Sequence, residues 1–477
     1  MEPIFLTERL GRWSSGRGPL HVLLASRLRG LIDDGDLPPG TTLPPDRHLA
    51  ASLALGRSTV VAAYDQLRAE GRIVRRQGSG TVVAGKDRDP VRGMAGVPLF
   101  LHLLEPRDGV IVLACAAPPA PPPEYTQACA RVLPALAAIT DDIGYYPAGH
   151  PALRAALAAH YERRGVPTEP GQILVTNGGQ QAVSLLADLF VRPGDRVLVE
   201  TPSYPGALEA FRDSSAVLGP LPVGLAGLAG AAREHRPALA YVIPTYHNPT
   251  GAVLPALLRR RLAADAAAAG VPLVADEVPA ELGFPGEQPP PPLAAYAPDS
   301  VISVGSLSKI VWGGLRIGWI RAPVPVVGRL ARLRTVHDLG GDMLNQLAAA
   351  DLLPQLDELR QRLAGPRQAG YRHLRAELAR RLPDWDVPTV HGGQTLWVRL
   401  PRGDAGSFAQ AGMRHGVAVL PGPGLDASGG SEQYLRLHFR AAPDILTEAV
   451  RRLAEAWRAY DPPAPARRIS VPPAMAI

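Results

Sequence analysis

The sequence predicts a multi-domain chain: a small helical unit closed by a hairpin, then a large α/β unit on a mostly parallel sheet. Three observations carry this. Leucines at helical spacing from Leu20 to Leu31 open a run of helix-sized segments that ends in a glycine-tipped pair of short β segments. From about residue 109, short apolar segments without alternation are interleaved with helical stretches, the pattern of strands buried on both faces. Between the two units lies Lys86-Asp87-Arg88-Asp89-Pro90, charged and aperiodic, as expected of a tether. A length of 477 residues allows two or three domains.

Composition narrows the classes. The chain is 46% hydrophobic with a mean hydropathy of +0.01, enough for a large core. Cys115 and Cys129 form neither a disulfide framework nor a metal-ligand spacing, so no metal is expected. No apolar run reaches membrane-spanning length and no leader segment is read, which points to a soluble, cytoplasmic protein without a membrane partner. The formal charge of +6 is compatible with nucleic acid but does not demand it.

In the first unit (1–84), Leu20, Leu23, Leu24, Leu28 and Leu31 share one helix face, and the stretch Gly35 to Gly40 breaks that helix. Leu43 to Ala50 opens a second helix with proline near its first turn. Arg57-Ser58-Thr59 starts a third, with Val60, Ala63, Tyr64 and Leu67 on its inner face and Gly71 as its stop. Short β segments, Arg72 to Arg76 and Thr81 to Ala84, flank Gln77-Gly78-Ser79-Gly80. This order is a winged helix-turn-helix. Arg57, Ser58 and Thr59 stand at the start of the third helix, where a recognition helix meets base edges and phosphates, while Arg75 and Arg76 reach backbone from the wing. Over residues 1–85 there are 11 arginines against 8 acids. A helical dimerisation module with solvated arginines is the plainer alternative. The words Leu37-Pro38-Pro39-Gly40, Leu43-Pro44-Pro45-Asp46-Arg47-His48-Leu49-Ala50, Arg57-Ser58-Thr59-Val60 and Gly78-Ser79-Gly80-Thr81 closely resemble the DNA-binding domain of GntR-type bacterial regulators. The resemblance implies that Arg47, Arg57, Ser58 and Thr59 contact double-stranded DNA, and that Gly78 and Gly80 shape the wing.

The linker (85–108) includes an apolar stretch, Val97 to Leu104, able to dock on a neighbouring domain. In the large unit (109–461), five strands in succession each end in polar or aromatic groups. Ile173 to Val175 leads to Gly178, Gly179 and Gln180. Arg196 to Glu200 leads to Tyr204, and Leu239 to Ile243 leads to Asn248-Pro249-Thr250-Gly251. Val271 to Ala275 leads to Asp276, and Val301 to Gly305 leads to Ser306, Ser308 and Lys309. Open α/β sheets bind ligands beyond the carboxyl ends of their strands, so these groups share one edge.

Lys309 gives that edge a chemistry. The chain has two lysines, Lys86 and Lys309; the other 48 of its 50 basic residues are arginines. Only lysine offers a deprotonatable amine able to form a Schiff base, which together with phosphate-binding groups is what pyridoxal 5'-phosphate needs. Gly178 and Gly179 at a helix start suit a phosphate, completed by Ser306, Ser308 and Arg316. Tyr204 suits stacking on the pyridine ring, Asp276 the ring nitrogen, and Asn248 the phenolic oxygen. Singly each has a bland reading: a turn, a strand cap, a core tyrosine, a surface lysine.

Order and wording resemble the fold-type I aminotransferase superfamily over roughly 110 to 455. Tyr145-Tyr146-Pro147-Ala148-Gly149 matches a substrate-side segment, which makes Tyr145 an effector-pocket candidate. Ser306-Leu307-Ser308-Lys309 with Gly314-Leu315-Arg316-Ile317-Gly318 matches the lysine segment. Tyr434-Leu435-Arg436-Leu437-His438-Phe439 matches the segment whose arginine clamps a carboxylate, so Arg436 is implied as effector ligand. One departure stands out: Asp276-Glu277-Val278-Pro279-Ala280-Glu281-Leu282 lacks the tyrosine that often follows the aspartate. A GntR-like winged helix joined to an aminotransferase-like domain resembles the MocR regulators. The resemblance implies a transcriptional regulator without physiological turnover, with at most residual half-transamination. It would bind pyridoxal phosphate on Lys309, sense an amino compound, and work as a head-to-tail homodimer on paired DNA half-sites. Three alternatives stay open: a vitamin B6 homeostasis regulator sensing the cofactor alone, an active aminotransferase with an accessory DNA-binding domain, and a large domain that has lost the cofactor and only dimerises. The tail from Asp461, rich in proline, is expected to be disordered.

Overall fold

The computed structural model describes residues 3–83, apart from 12, 16–18, 34–35, 38–39, 70–71 and 77–79, together with residues 108–462. The linker at 85–107, the stops at Gly35 and Gly71, the wing-tip Gly78, and the tail at 463–477 lie outside the described residues.

The N-terminal unit packs its helices over a small antiparallel sheet. Helices Leu20–Asp33, Asp46–Ser52 and Arg57–Ala69 answer to the three expected from the sequence, and the strands are Ile73–Arg76 and Gly80–Val83. Two features add to the expected order. Helix Pro3–Leu10 precedes them and buries Leu6 and Leu10 in the same core. A short strand, Thr42–Leu43, pairs with Gly80–Val83 to give a three-stranded sheet. The second helix therefore begins at Asp46 and not at Leu43. A residue ahead of proline is driven to extended backbone, which places Leu43 in a strand and leaves Pro45 as the helix cap.

The large unit is centred on a seven-stranded sheet. Its order is Ile173–Thr176, Gly318–Arg321, Val301–Ser306, Leu273–Asp276, Leu239–Val242, Arg196–Thr201 and Val217–Pro222. All neighbours run parallel except at Gly318–Arg321, which lies antiparallel to both of its neighbours. The five strands read from the sequence are present with ends shifted by at most two residues; Gly318–Arg321 and the edge strand Val217–Pro222 are additional. One apolar cluster lies on each face of this sheet.

A smaller lobe has its own core. Strands Thr395–Arg399, Tyr434–His438 and Leu420–Pro421 form an antiparallel sheet backed by helix Pro443–Ala459. Val417–Ala418 pairs with Ile111–Val112 from the start of the unit, which ties that start to the small lobe. The segments on either side of Gly365 and Pro366 form one continuous helix, Leu356–Arg381, with Pro366 inside it. Its first half packs Leu356 and Leu359 into the large core, and its second half packs Tyr371, Leu374 and Leu378 into the small one. Burial on both sides outweighs the hydrogen bond lost at the proline. Among the described residues no helix is long and apolar enough to cross a membrane.

Candidate cofactor and effector site

The carboxyl ends of the parallel strands open into a cavity of about 270 Å³ between the two lobes. Gly179, Gln180, Tyr204, Asn248, Asp276, Ser306, Ser308, Lys309, Arg316 and Arg436 all line it. Residues 130 positions apart thus meet at one sheet edge because parallel strands end on the same side.

The glycine turn is shaped by close approach. Gly178 caps helix Gly179–Phe190 with φ at +87°, and a Cβ there would lie 2.5 Å from Arg316 Nη2. Arg316, itself in the left-handed region at φ +53°, donates to the carbonyls of Gly313 and Asn177. Its guanidinium therefore lies against the helix start. Ser306 Oγ donates to Ile317 O and lies 3.0 Å from Ser308 Oγ, which completes a small polar cup.

Lys309 Nζ donates to Ala116 O at 2.7 Å, and Gln394 holds the lysine's own carbonyl at 2.9 Å. Desolvation by its surroundings lowers the amine's pKa, opposed by nearby Cys115 and assisted by Arg436. The shift favours a neutral, nucleophilic amine. Asp276 is buried at the end of its strand. Burial pushes its pKa up, while hydrogen bonds from Tyr241 and the Val278 amide pull it back. Tyr241 Oη donates to Oδ2 at 2.5 Å and Val278 N to Oδ1 at 2.9 Å.

Tyr204 is turned by Gln180: its hydroxyl donates to Gln180 Oε1 at 2.9 Å, and Gln180 Nε2 donates to Gly206 O. Arg436 donates to Asn248 Oδ1 at 3.0 Å and to Ala114 O at 2.5 Å, while its Nε is buried without a partner. Burial lowers its pKa to about 10. With Oδ1 of Asn248 taken by Arg436, the amide Nδ2 remains as a donor toward the cavity.

Tyr145 does not join this constellation in its own chain; it is 61% exposed and away from the cavity wall. On the N-terminal unit, Arg47, Arg57, Ser58 and Arg75 are exposed and Thr59 is half-buried. Arg57 Nε donates to Asp46 Oδ2 at 2.9 Å, which ties the start of the third helix to the start of the second. Arg76 and Gly80 lie in the two wing strands.

Three contributors were not read from the sequence: Tyr241, Gln394 and the Ala114-Cys115-Ala116 stretch. Tyr241 carried a usable signal, because a tyrosine inside a fully buried strand needs a partner for its hydroxyl. The other two had none, since their roles rest on chain crossings some 80 to 190 residues long. No group of three or more metal-ligating side chains is found among the described residues.

Comparison with known proteins extends this picture. The family described as aminotransferase class I and II matches residues 110–456, and the bacterial regulatory proteins of the gntR family match residues 23–83. The probable rhizopine catabolism regulatory protein MocR of Rhizobium meliloti is 33% identical, covering 71% of this chain and 72% of its own. The HTH-type pyridoxine biosynthesis transcriptional regulator PdxR of Corynebacterium glutamicum is 32% identical, over 78% of this chain and 81% of its own. Among solved structures, α-aminoadipate aminotransferase LysN of Thermus thermophilus, complexed with N-(5'-phosphopyridoxyl)-L-leucine, superposes with a TM-score of 0.70 at 31% identity. It covers 78% of this chain and 97% of its own.

Proposed function

The chain belongs to the MocR-type regulators, with an aminotransferase class I and II domain behind a gntR-family segment, and on that premise we propose that Lys309 is the latch of a ligand-controlled DNA switch. The protein is a transcriptional regulator, and its cofactor is pyridoxal 5'-phosphate. What carries the proposal is the convergence of a buried amine, a buried carboxylate, a glycine turn backed by arginine and a buried guanidinium on one cavity.

The residues present fit the cofactor. Arg316 packs where a Cβ on Gly178 would stand, and bare amides at the helix start with Ser306, Ser308 and Arg316 would hold its phosphate. Tyr204 would cover the ring, Asp276 would hold a proton on the ring nitrogen, and Asn248 Nδ2 would donate to the phenolic oxygen. When bound, the cofactor supplies an electrophilic carbonyl carbon to which a primary amine adds reversibly. Lys309 is the chain's own amine for that carbon, and Arg436 would orient an amino compound's carboxylate beside it. The Lys309 amine, when free, donates to Ala116 O, on the segment that ties the start of the unit to the small lobe, and would give up that bond when held elsewhere. Two arrangements with different DNA affinity would result.

Steady turnover is disfavoured by the lining. The two tyrosines among the lining residues are already placed elsewhere: Tyr204 donates to Gln180, and the Tyr246 hydroxyl lies beside Gly283. Pro279 lines the cavity where the sequence lacks a tyrosine. Asn248 is then the donor left for the phenolic oxygen.

In the dimer proposed here, two copies pack head to tail, so that the exposed Tyr145 of each faces the cavity of the other. A second reading, sensing of the cofactor alone, is favoured by the likeness to a regulator of pyridoxine biosynthesis. A footprint of the purified protein on its upstream DNA decides between them. Cofactor plus amino compounds should change the footprint where cofactor alone does not; the same change with cofactor alone favours the second reading. Lys309→Ala should abolish the cofactor's visible absorbance band, and a retained band would remove Lys309 from the role.

A further inference from the structure

The charges lining the cavity restrict what the amino compound can be, given the cofactor reading above. Among the lining residues the charged side chains are Asp276, Lys309, Arg316 and Arg436. The first three are the groups assigned to the cofactor, which leaves Arg436 for the effector. Two of its nitrogens already serve Asn248 and Ala114, and the buried Nε has no partner. The donor hydrogens of this guanidinium not used by Asn248 and Ala114 suit one carboxylate.

The remaining wall is apolar or nearly so: Ala114, Cys115, Ile243, Tyr246, Pro279 and Leu282. Its neutral polar neighbours are turned to the backbone. Gln394 Nε2 donates to Lys309 O at 2.9 Å, and Thr395 Oγ1 faces Pro249 O at 3.5 Å. Within the cavity, among the described lining residues, a second carboxylate on the ligand would find no free cation and a side-chain ammonium no free carboxylate. Either charge would be taken out of water without compensation, which is strongly unfavourable. The segment that the dimer reading brings to the mouth presents Ile143, 85% exposed, and Tyr145; its charged residues are Asp141 and Asp142, with no cation.

We infer that the effector is an amino acid with a single carboxylate and an uncharged, largely apolar side chain. The full-length protein loaded with pyridoxal phosphate is titrated separately with leucine, methionine, phenylalanine, glutamate, 2-aminoadipate and lysine. Two readouts are followed, the cofactor's absorbance band and the heat of binding. At least one of the three neutral amino acids should saturate at a concentration at least about tenfold below any of the charged three. A charged amino acid that saturates at an equal or lower concentration overturns the inference, as does silence from all six. Arg436→Gln should weaken the neutral ligands by about tenfold or more; unchanged binding would move the carboxylate site elsewhere and also overturn it. Failure of the cofactor reading is distinct: there the wild-type band is missing, or it survives in Lys309→Ala.

Discussion

Asp276 and Tyr241 show how a hydrogen bond opposes burial at a charged group. The carboxylate sits in a buried strand end, where desolvation favours its neutral form. The hydroxyl of Tyr241, on the neighbouring strand and itself far too basic to ionise, donates to it at 2.5 Å. Tyr241→Phe would leave Asp276 with one fewer donor in a dry site. The expected cost is about 1–3 kcal/mol in stability, read from urea unfolding, with weaker retention of the cofactor on dialysis. Unchanged retention would mean that Tyr241 serves packing alone. Arg57 poses a similar question on the DNA face: it is 71% exposed and pairs with Asp46. Arg57→Ala should weaken operator binding and reduce the slope of log affinity against log salt by about one. An unaltered slope would take Arg57 off the phosphate-contacting face.

At the scale of elements, strand Tyr434–His438 carries two functions on one face. Arg436 and His438 are two residues apart, so both point to the same side. Burial lowers the His438 pKa to about 4, and the Val112 carbonyl accepts its Nε2 hydrogen at 2.9 Å. His160, in helix Pro151–Arg163, is lowered likewise to about 4, by burial. The sign follows directly. The unfolded chain binds these protons below about pH 6.5 and the folded chain only near 4, so stability falls as pH drops between those values. Asp276 and Glu277, raised by burial, act in the opposite sense. His438→Asn should therefore narrow its stability deficit against the wild type on going from pH 7.5 to 5, as measured by denaturant midpoints. A deficit constant across that range would show that His438 does not contribute to acid sensitivity. The continuous helix Leu356–Arg381 belongs to this scale too. A Gly365-Pro366 pair reads as a break locally, yet the apolar stripes on either side of it are anchored in two different cores.

For the whole molecule, the site lies between lobes and the proposed dimer places part of it between copies. Ile143 and Val336 are 85% and 84% exposed, uncommon for large apolar side chains. If the segment at 139–147 meets a second copy, Ile143→Asp should shift sedimentation from dimer toward monomer. A persistent dimer would place the interface elsewhere.

The parts legible in the sequence were those with a local cause. Periodicity marked the strands and most helices, and turn residues marked Gly178, Asn248 and the wing. The single lysine of the large domain pointed to the chemistry, since one strand end after another delivers its polar group to the same edge. Tertiary structure decided what depends on distant segments meeting. The antiparallel strand Gly318–Arg321 is interior to the sheet only because Ile173–Thr176 and Val301–Ser306 pair on either side of it. Gln394 orients Lys309 from 85 residues away, and Ala116 receives its amine from 193. Such contacts leave no periodic trace, because packing and not local backbone preference brings them together.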